Sequence, residues 1–505
     1  MPVKYLSGKK TEFSQEYSSL KELLEQASKS SDFYQFTFTN KSIHINFYYY
    51  NSLVDEKKIH EHILPSIQSE KAKIKNLQDL INHIPIEGIE ICSDLKEIIL
   101  HLTQGYIYIQ LAGREHEGII VSLVDLKRGY RDQNDSENEY SVVGPKVGFV
   151  EDLSTNINLL RKNIVSEKLI FEEHTIGSIS KTRVVIAYLE GVTNPEHVNT
   201  VRQRLVDLDF DIVYDSSNLD QIISDNSKTP FPLLFSTERV DRATYMLSAG
   251  QVAILSSGSP YLISGPTTVF DFFVSPEDYY LPWILGSFFR LVRYIAVLLS
   301  ILGTPIYVAI VTFHYEMVPK DLLGPIIESR ADVPFPPLIE AIFLEITIEL
   351  LREAGARLPT KVGQTLGIVG GIVIGQAAVQ AALTSNILLI IVSLSALSSF
   401  TTPIFKMSNT IRFLRFPLIV LASIWGGFGI IVGITVLLGH LLRLKSLGTP
   451  YLVPLYPFRP TDLGDTFYRS SFSLTSKRPS FLRPLHLHKY KVKKNKDVMD
   501  DYNNE

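Results

Sequence analysis

The stretch GQTLGIVGGIVIGQAAVQAAL (363–383) carries no charged side chain and decides how the second half of the chain is organised. Small residues at every fourth position leave a smooth ridge along a helix, where a second membrane helix can approach closely. We therefore predict helix packing at Gly363, Gly367, Gly371 and Gly375. Two glutamines follow at the same spacing, Gln376 and Gln380. Their amides need protein partners or water, because unpaired polar groups are costly in hydrocarbon.

Uncharged runs on both sides of this stretch predict an all-α transmembrane domain of about four to five helices over residues 283–445. A helix needs about 20 apolar residues to cross a bilayer. Residues 294–313 and 416–442 each supply one crossing, and residues 362–405 are long enough for two, with a turn at LTSN (383–386). The other interpretation, core helices of a large soluble domain, fails on the length of these runs.

The segment PFPPLIEAIFLEITIELLREAGARLP (334–359) is apolar but acidic, and two interpretations stay open. Glu345 and Glu349 lie one turn apart and share a helix face. The helix either lies at the membrane surface with its acids toward water, or crosses with its acids facing a wet interior as a cation path. Several copies around one axis would favour the second, because rings of acids concentrate cations.

Basic residues near the helix ends give conflicting indications of orientation. Arg290 and Arg293 place the start of the first crossing in the cytosol, and the tail after Leu442 has 12 Lys/Arg against 6 Asp/Glu. Basic residues also flank both ends of 362–405 and favour a cytosolic base for that hairpin: Arg352, Arg357 and Lys361 before it, and Lys406, Arg412 and Arg415 after it. A crossing at 338–354 gives five crossings and an external tail. Without it, four crossings return the tail to the cytosol but place the hairpin's basic flanks outside. We favour two cytosolic termini.

The first half predicts a cytosolic α/β region of two lobes, at 1–135 and 141–282, because strand-like and helix-like runs alternate there. A polar linker at 131–141 separates the lobes, and Asn194-Pro195 predicts a capped helix start. Residues 446–505 form a polar, basic, cytosolic tail in this scheme. The net charge of -4 gives no sign of nucleic-acid binding, and the single cysteine, Cys92, excludes an intrachain disulfide.

Motifs for catalysis and cofactor binding do not occur in this half. It contains no phosphate-binding loop, no HExxH and no GxSxG sequence. His60 and His62 are two residues apart, so on a helix they point to different faces and make a poor metal site. We therefore predict neither enzymatic activity nor a cofactor or metal.

Several runs, in order over residues 140–460, resemble the A subunits of GerA-family spore germinant receptors. They are VVGPKVGFVEDLSTNINLLRKNI, VVIAYLEGVTNP, PFPLLFSTERVDRA, GQVAILSSGSPYLISGP, PFPPLIEAIFLEITIELLREAGARLP and GQTLGIVGGIVIGQAAVQAALTS. The resemblance implies a cytosolic N-terminal domain and a membrane domain in the inner membrane of the spore. It also implies a transporter-like B subunit and a lipoprotein C subunit as partners. The A subunits are proposed to form a homo-oligomer, a pentamer, around a gated cation pore that releases monovalent ions when nutrients are sensed.

Our working hypothesis places copies of 363–383 or 338–354 around one axis. Glu345 and Glu349 would attract cations, Gln376 and Gln380 would offer uncharged oxygens, and Val373, Val379 or Leu383 would form a hydrophobic gate. Helices that meet at glycine would slide when the partner signals. The alternative is a non-conducting signalling scaffold that assembles the B and C subunits.

Overall fold

The fold is described by a computed structural model for residues 17–40, 43–68, 74, 76–86, 88–113, 117–124, 139, 143–358, 371–472 and 474–490. The chain forms two compact units, each built from separate parts of the sequence. Unit 1 comprises Met1–Ser224, Leu234–Pro266 and Phe472–Glu505, and unit 2 comprises Asp225–Leu233 and Thr267–Ser471. The predicted boundaries near 135, 282 and 445 follow composition, whereas the two units follow packing.

The first lobe of unit 1 is a five-stranded antiparallel sheet in the order β1-β2-β4-β5-β3 with helices packed against it. Its strands are β1 Phe33–Asn40, β2 Ile43–Tyr50, β3 Glu90–Cys92, β4 Tyr106–Leu111 and β5 Gly118–Ser122. Its helices are α1 Leu20–Ala27, α2 Glu56–Lys58, α3 Leu64–Gln68, α4 Leu77–His83 and α5 Leu95–Thr103, with π-helical Ile59–Ile63 between α2 and α3. Apolar side chains such as Ile45, Phe47 and Ile109 alternate along the strands and form the core on one face.

The second lobe repeats this architecture with strand order β6-β7-β9-β10-β8. Its strands are β6 Leu169–Ile176, β7 Thr182–Leu189, β8 Phe235–Thr237, β9 Val252–Ser256 and β10 Leu262–Gly265. Its helices are α6 Leu153–Asn163, α7 Pro195–Val206, α8 Ser216–Ile223 and α9 Val240–Ala249. The predicted cap is confirmed, since Asn194 accepts from the Glu196 N–H and Pro195 opens α7. The predicted alternation of strands and helices is confirmed, and all described pairings in both sheets are antiparallel.

A buried ion pair joins the two lobes. Arg161 on α6 donates to both oxygens of Asp32, at 3.0 and 2.7 Å, and both residues are buried. Ser30 and Ser52 also donate to Asp32, each at 2.6 Å. Burial opposes ionisation of Asp32, but the charge and hydrogen bonds of Arg161 outweigh it and hold the Asp32 pKa below its usual value. The two lobes are therefore held in one fixed arrangement.

The described end of the predicted tail is an ordered part of unit 1. The Leu485 N–H donates to the Val192 carbonyl at 3.0 Å, and Arg478 Nε donates to the Ser248 carbonyl at 2.8 Å. Leu482 is buried, and its backbone hydrogen-bonds His197 on α7. The predicted polar, basic tail from 446 onward thus includes residues 474–490, which pack against the second lobe and bury Leu482 there.

Unit 2 is predominantly helical. Its helices are α10 Glu277–Tyr280, α11 Trp283–Phe313, α12 Lys320–Arg330, α13 Pro337–Arg357, α14 Gly371–Gln380, α15 Asn386–Ser399 and α16 Phe405–Arg443. Two short strands, β11 Lys445–Ser446 and β12 Thr449–Pro450, pair after α16. Two of the described helices, α11 with 31 residues and α16 with 39, are long and apolar enough to cross a membrane.

Helix α16 is a hairpin of two antiparallel legs, residues 405–425 and 427–443. Gly426 has φ 59° and ψ -136°, a conformation that glycine adopts far more easily than other residues. A Cβ atom on Gly433 would lie 2.4 Å from Leu418 Cδ2, although a straight helix would hold these positions about 22 Å apart. The run 416–442, predicted to make one crossing, therefore folds back on itself at the glycine-rich sequence WGGFG (425–429).

Contacts with α11 give the direction of the other helices in unit 2. The Gly427 N–H donates to His314 Nε2 at 3.1 Å, so the turn of the α16 hairpin lies beside the end of α11. Ser385 lies beside Tyr307, with 3.3 Å between their hydroxyl oxygens, and Ser395 donates to the Leu299 carbonyl at 3.4 Å. Helix α15 therefore runs antiparallel to α11. The turn before α15 lies level with Tyr307, six residues or about 9 Å along the helix axis before the last residue of α11.

Candidate functional site in the helical unit

Three of the four acids of α13 lie close to an arginine from another helix, and the fourth, Glu353, pairs with Arg357 on α13 itself. Glu340, Glu345 and Glu349 occupy one side of α13, and their arginine partners are Arg330, Arg415 and Arg412. The opposite side of α13 exposes Ile339, Phe343, Ile346 and Leu350. The spacing that predicts a shared face for Glu345 and Glu349 thus describes an acidic stripe turned toward the other helices of the same chain.

Glu345 and Arg415 form the centre of this stripe. Arg415 Nη1 donates to Glu345 Oε2 at 2.5 Å, and Thr304 donates to Glu345 Oε1 at 2.8 Å. The remaining Arg415 donors reach the Ser300 carbonyl at 2.7 Å, the Ser300 hydroxyl at 2.8 Å and the Ser395 carbonyl at 3.2 Å. Both charged side chains are 2% exposed. Four helices, α11, α13, α15 and α16, are therefore tied together at one buried charge pair.

Glu340 holds the turn that precedes α15. Its Oε1 accepts from the Ser385 N–H at 2.7 Å and from the Thr384 hydroxyl at 3.3 Å. Its Oε2 lies 3.2 Å from Arg330 Nη1, an ion-pair distance that is not aligned as a hydrogen bond. Glu340, Thr384 and Ser385 are all buried. The LTSN sequence is confirmed as a turn, and this carboxylate holds it inside the bundle.

Glu349 is half-buried at the end of the stripe that lies nearest the start of α16. It pairs with Arg412 Nε at 3.2 Å and with Arg352 Nη1 at 3.3 Å. Arg352 also donates to Asn409 at 2.9 Å. Of the two predicted pore acids, Glu349 is the more accessible, with about a third of its side chain exposed.

The arginines that indicate orientation in the sequence analysis are engaged in the protein interior. Arg290 Nε donates to Asp278 at 3.1 Å, Arg290 Nη1 contacts Asp465 at 3.1 Å, and Arg293 Nη1 contacts Asp278 at 3.0 Å. Arg290 is fully buried, as is Arg415. Their charges are therefore neutralised by acids or held by buried polar groups, and the orientation inferred from them stays a prediction.

Helix α14 exposes most of its surface. Val373, Gln376 and Gln380 are exposed, Val379 and Leu383 are half-buried, and Ala378 is the one fully buried side chain between 371 and 380. Within the described part of the chain, neither glutamine forms a hydrogen bond. The structure therefore places the predicted gate and glutamine residues together on α14 and its end, and places the acids on a separate helix that faces inward.

The predicted glycine ridge is only partly described, because Gly363 and Gly367 lie outside the described residues. A Cβ on Gly371 would meet no atom within 4 Å, and one on Gly375 would make ordinary contact with Leu389 at 3.7 Å. Close packing at this ridge therefore needs a surface other than the described part of this chain. Helices do meet closely at Gly303, where a Cβ would lie 2.5 Å from Ser395 Oγ, and at Gly429.

Sequence reasoning missed the partners of the acids. No role was predicted for Arg330, Thr304, Ser300 or Ser395. Arg412 and Arg415 entered the prediction only as basic residues near helix ends. One signal was present in the sequence. Arg412 and Arg415 are three residues apart, as a helix face requires, and the two glutamates of α13 are four apart. Matched spacings of opposite charge on two helices indicate pairing across the bundle.

Comparison with known proteins identifies the family. The sequence model described as "Bacillus/Clostridium GerA spore germination protein" matches residues 18–481. The chain belongs to this family. The spore germination protein GerQA of Bacillus cereus is 47% identical over 465 residues, which cover 92% of each chain. The spore germination protein KA of Bacillus subtilis (strain 168) is 36% identical, over 86% of this chain and 80% of that protein.

One solved structure is also similar to part of this GerA-family chain. It is the N-terminal domain of the A subunit of the Bacillus megaterium spore germinant receptor GerK3, which is 26% identical. The match covers 50% of this chain and 98% of that domain, with a TM-score of 0.39.

Proposed function

We propose that this protein is the A-type subunit of a nutrient germinant receptor and that several copies form a gated cation channel in the inner membrane of the spore. Its partners would be a transporter-like B subunit and a lipoprotein C subunit, and its role would not be enzymatic. Family membership supports the receptor assignment. The observation that carries the channel proposal is the exposure of Gln376 and Gln380 on an uncharged helix.

The two glutamines support the proposal because it costs free energy to expose a side-chain amide to lipid. An amide that faces hydrocarbon without a partner loses its hydrogen bonds to water, so polar side chains in membrane helices usually face protein or a wet cavity. Copies of α14 around an axis would give both glutamines such an environment. Their oxygens would line the path, and Val373, Val379 and Leu383 would form the apolar constriction.

We further propose four crossings, by α11, α13 and the two legs of α16. A leg of 20 residues is about 30 Å long, which matches the hydrocarbon core of a bilayer. Helix α15, with 14 residues, is about 21 Å long, so α14 and α15 would form a re-entrant hairpin rather than the two crossings expected for 362–405. Four crossings return the chain to its starting side, in agreement with residues 474–490 packing within unit 1.

The acids of α13 take different roles in this proposal. Glu349, partly exposed at one end of the stripe, would attract cations at the mouth of the path only when its pairs with Arg412 and Arg352 open. The charge of Glu345 is already balanced by Arg415, so Glu345 would hold the helices in register. A change in that pairing would shift α13 and α15 together, which gives a partner subunit a means to open the path.

Potassium release from spores tests the channel. We expect Gln376→Leu and Gln380→Leu to slow nutrient-triggered release at least tenfold when receptor levels are normal, and Gln376→Lys to abolish it by repelling cations. Ile390→Leu on α15 is the control, since it keeps an exposed apolar side chain. Unchanged release in all three glutamine variants would remove α14 from the conduction path.

The alternative, a non-conducting scaffold, is favoured by one observation. Glu340, Glu345 and Arg415 are buried and find their partners within a single chain, as static structural contacts would. Purified protein in a planar bilayer separates the two functions. Cation current from the chain, alone or with its partner subunits, supports the channel, whereas a stable oligomer without current supports the scaffold.

A further inference from the structure

An apolar surface with an acidic border lies at one end of the second lobe of unit 1. We call it the 206–214 patch; its apolar members are Ile179, Val206, Phe210, Ile212 and Tyr214, all exposed. Two of them are largely free of contact, since Ile179 is 68% exposed and Tyr214 78% exposed. Exposed apolar groups clustered in this way commonly mark interaction sites rather than plain surface.

The patch is held in a defined shape by hydrogen bonds. The Ser178 N–H donates to the Phe210 carbonyl and the Ile179 N–H to the Asp211 carbonyl, both at 2.9 Å, and the Ser178 hydroxyl donates to Asp211 Oδ1 at 2.6 Å. The turn between β6 and β7 is thereby fixed to the loop after α7. The patch also borders an open cavity of about 380 Å³ with a mixed lining, in which Ile176, Leu205 and Leu208 lie beside His174, Thr175, Ser178 and Asp209. A preformed apolar surface beside a cavity can take up an apolar side chain of a partner at little ordering cost.

Charge selects the partner. Acidic and apolar residues alternate in VDLDFDIVYD (206–215), and Asp207, Asp209 and Asp211 are exposed. None of the described residues forms an ion pair with these three carboxylates. Anionic lipid headgroups and nucleic acids would be repelled. A two-fold contact with a second copy would bring the same three acids against each other, which like charges disfavour, whereas a contact between neighbours in a ring would place a different surface against them.

We propose that the 206–214 patch docks a basic, apolar cytosolic loop of a membrane-spanning partner subunit. Cytosolic loops of multi-span proteins carry an excess of Lys and Arg close to apolar helix ends, which is the chemistry complementary to this surface. The inference rests on the proposed receptor role and on a cytosolic unit 1, but not on ion conduction. A scaffold that conducts nothing would keep the same surface, so a failed docking test and a failed flux test are separate results.

Photo-crosslinking in native membranes tests the docking. A benzophenone amino acid replaces Tyr214 in the full chain co-expressed with its partner subunits, and Val165, 51% exposed on the same unit, carries the control label. We expect the Tyr214 label, and not the Val165 label, to crosslink to a Lys/Arg-containing loop peptide of a multi-span subunit. Asp207→Lys with Asp209→Lys should lower the yield at least fivefold.

The outcomes are assigned by mass spectrometry of the crosslinked peptides. Crosslinks from Tyr214 to a second copy of this chain, to lipid or to a soluble protein would overturn the proposal. A yield no higher than that of the Val165 control would also overturn it. Because the two aspartates and Tyr214 are exposed, an unchanged melting temperature of each variant is expected and shows that the fold is intact.

Discussion

Gly429 lies so close to the Leu421 carbonyl oxygen that a Cβ atom at position 429 would come within 2.0 Å of it. The contact exists because α16 reverses at Gly426 and its two legs pack face to face. We expect Gly429→Ala to separate the legs and to lower stability by about 1–3 kcal/mol or more, the usual range for overpacking. Thermal unfolding in detergent measures this effect.

Gly439 on the same helix is the matched control for this substitution. A Cβ there would meet no atom within 4 Å, so Gly439→Ala should be neutral or gain up to about 1 kcal/mol from helix propensity. Equal melting temperatures for the two variants would contradict the hairpin.

Removing one member of the Glu345–Arg415 pair should be far more costly than removing both. Arg415→Met leaves Glu345 as an unpaired buried carboxylate, and we expect a loss of about 3–5 kcal/mol. The double variant Glu345→Gln/Arg415→Met should recover most of it. Glu353→Gln breaks an exposed pair with Arg357 and should cost less than about 1 kcal/mol. A melting temperature for Arg415→Met that equals that of Glu353→Gln would show that the buried pair is not formed.

The Asp32–Arg161 pair predicts how unit 1 responds to acid. The pKa of Asp32 is lower in the folded protein, so its contribution to stability is complete above the ordinary aspartate pKa of about 3.9. That contribution is lost as the pH falls below this value through the folded pKa. Asp32→Asn should therefore destabilise unit 1 by about 3–5 kcal/mol at pH 7, and by less near pH 3.

The measurement is urea unfolding of the full chain at several pH values, with limited proteolysis reporting when unit 1 unfolds. It gives the difference in unfolding free energy between wild type and Asp32→Asn at each pH. The exposed pair of Glu173 with Arg183 supplies the control variant, Glu173→Gln, which should change stability little. A gap between wild type and Asp32→Asn that is the same at pH 3 and pH 7 would argue against the proposed titration.

Single cysteines test the four-crossing arrangement. Met317→Cys, at the end of α11 beyond His314, and Leu474→Cys, in the C-terminal segment, replace side chains that are 72% and 74% exposed. We expect a membrane-impermeant maleimide to label Met317→Cys in intact cells and Leu474→Cys only after the membrane is opened. Labelling of both from the same side would require a different number of crossings.

The native cysteine, Cys92, should contribute little background to the maleimide labelling. Cys92 is buried, and burial raises the pKa of its thiol to about 11, so the reactive thiolate is scarce near neutral pH. The unsubstituted protein should therefore remain unlabelled under the same conditions.

The sequence was sufficient for the elements whose signals are local. Helix α7 begins at its predicted asparagine cap, and strands and helices alternate through both lobes as predicted. The pairing of the strands could not be predicted from local sequence patterns. Alternating strands and helices suit parallel and antiparallel sheets alike, and the antiparallel order depends on contacts between distant residues.

Unit 2 shows a different limit. Counting uncharged residues identified where apolar helices lie. An uncharged run of 27 residues, however, has the same composition whether it forms one straight helix or parts of both legs of the α16 hairpin. The glycines at 426, 427 and 429 were the available signal for the reversal. The buried pairing of Arg415 was not predicted, because a count of basic residues does not reveal which of them meets a buried acid. The carboxylate partner lies 70 positions away in sequence.

The return of residues 474–490 to unit 1 gives the chain a built-in order of assembly. Translation makes the two lobes of unit 1 first, so the Val192 carbonyl and His197 gain their partners only after α16 has been synthesised and Leu482 and Leu485 follow. Under the proposed four crossings, a chain inserted with an odd number of crossings would hold residues 474–490 on the far side of the membrane from the lobes. Unit 1 is therefore completed only after every described helix of unit 2 has been made.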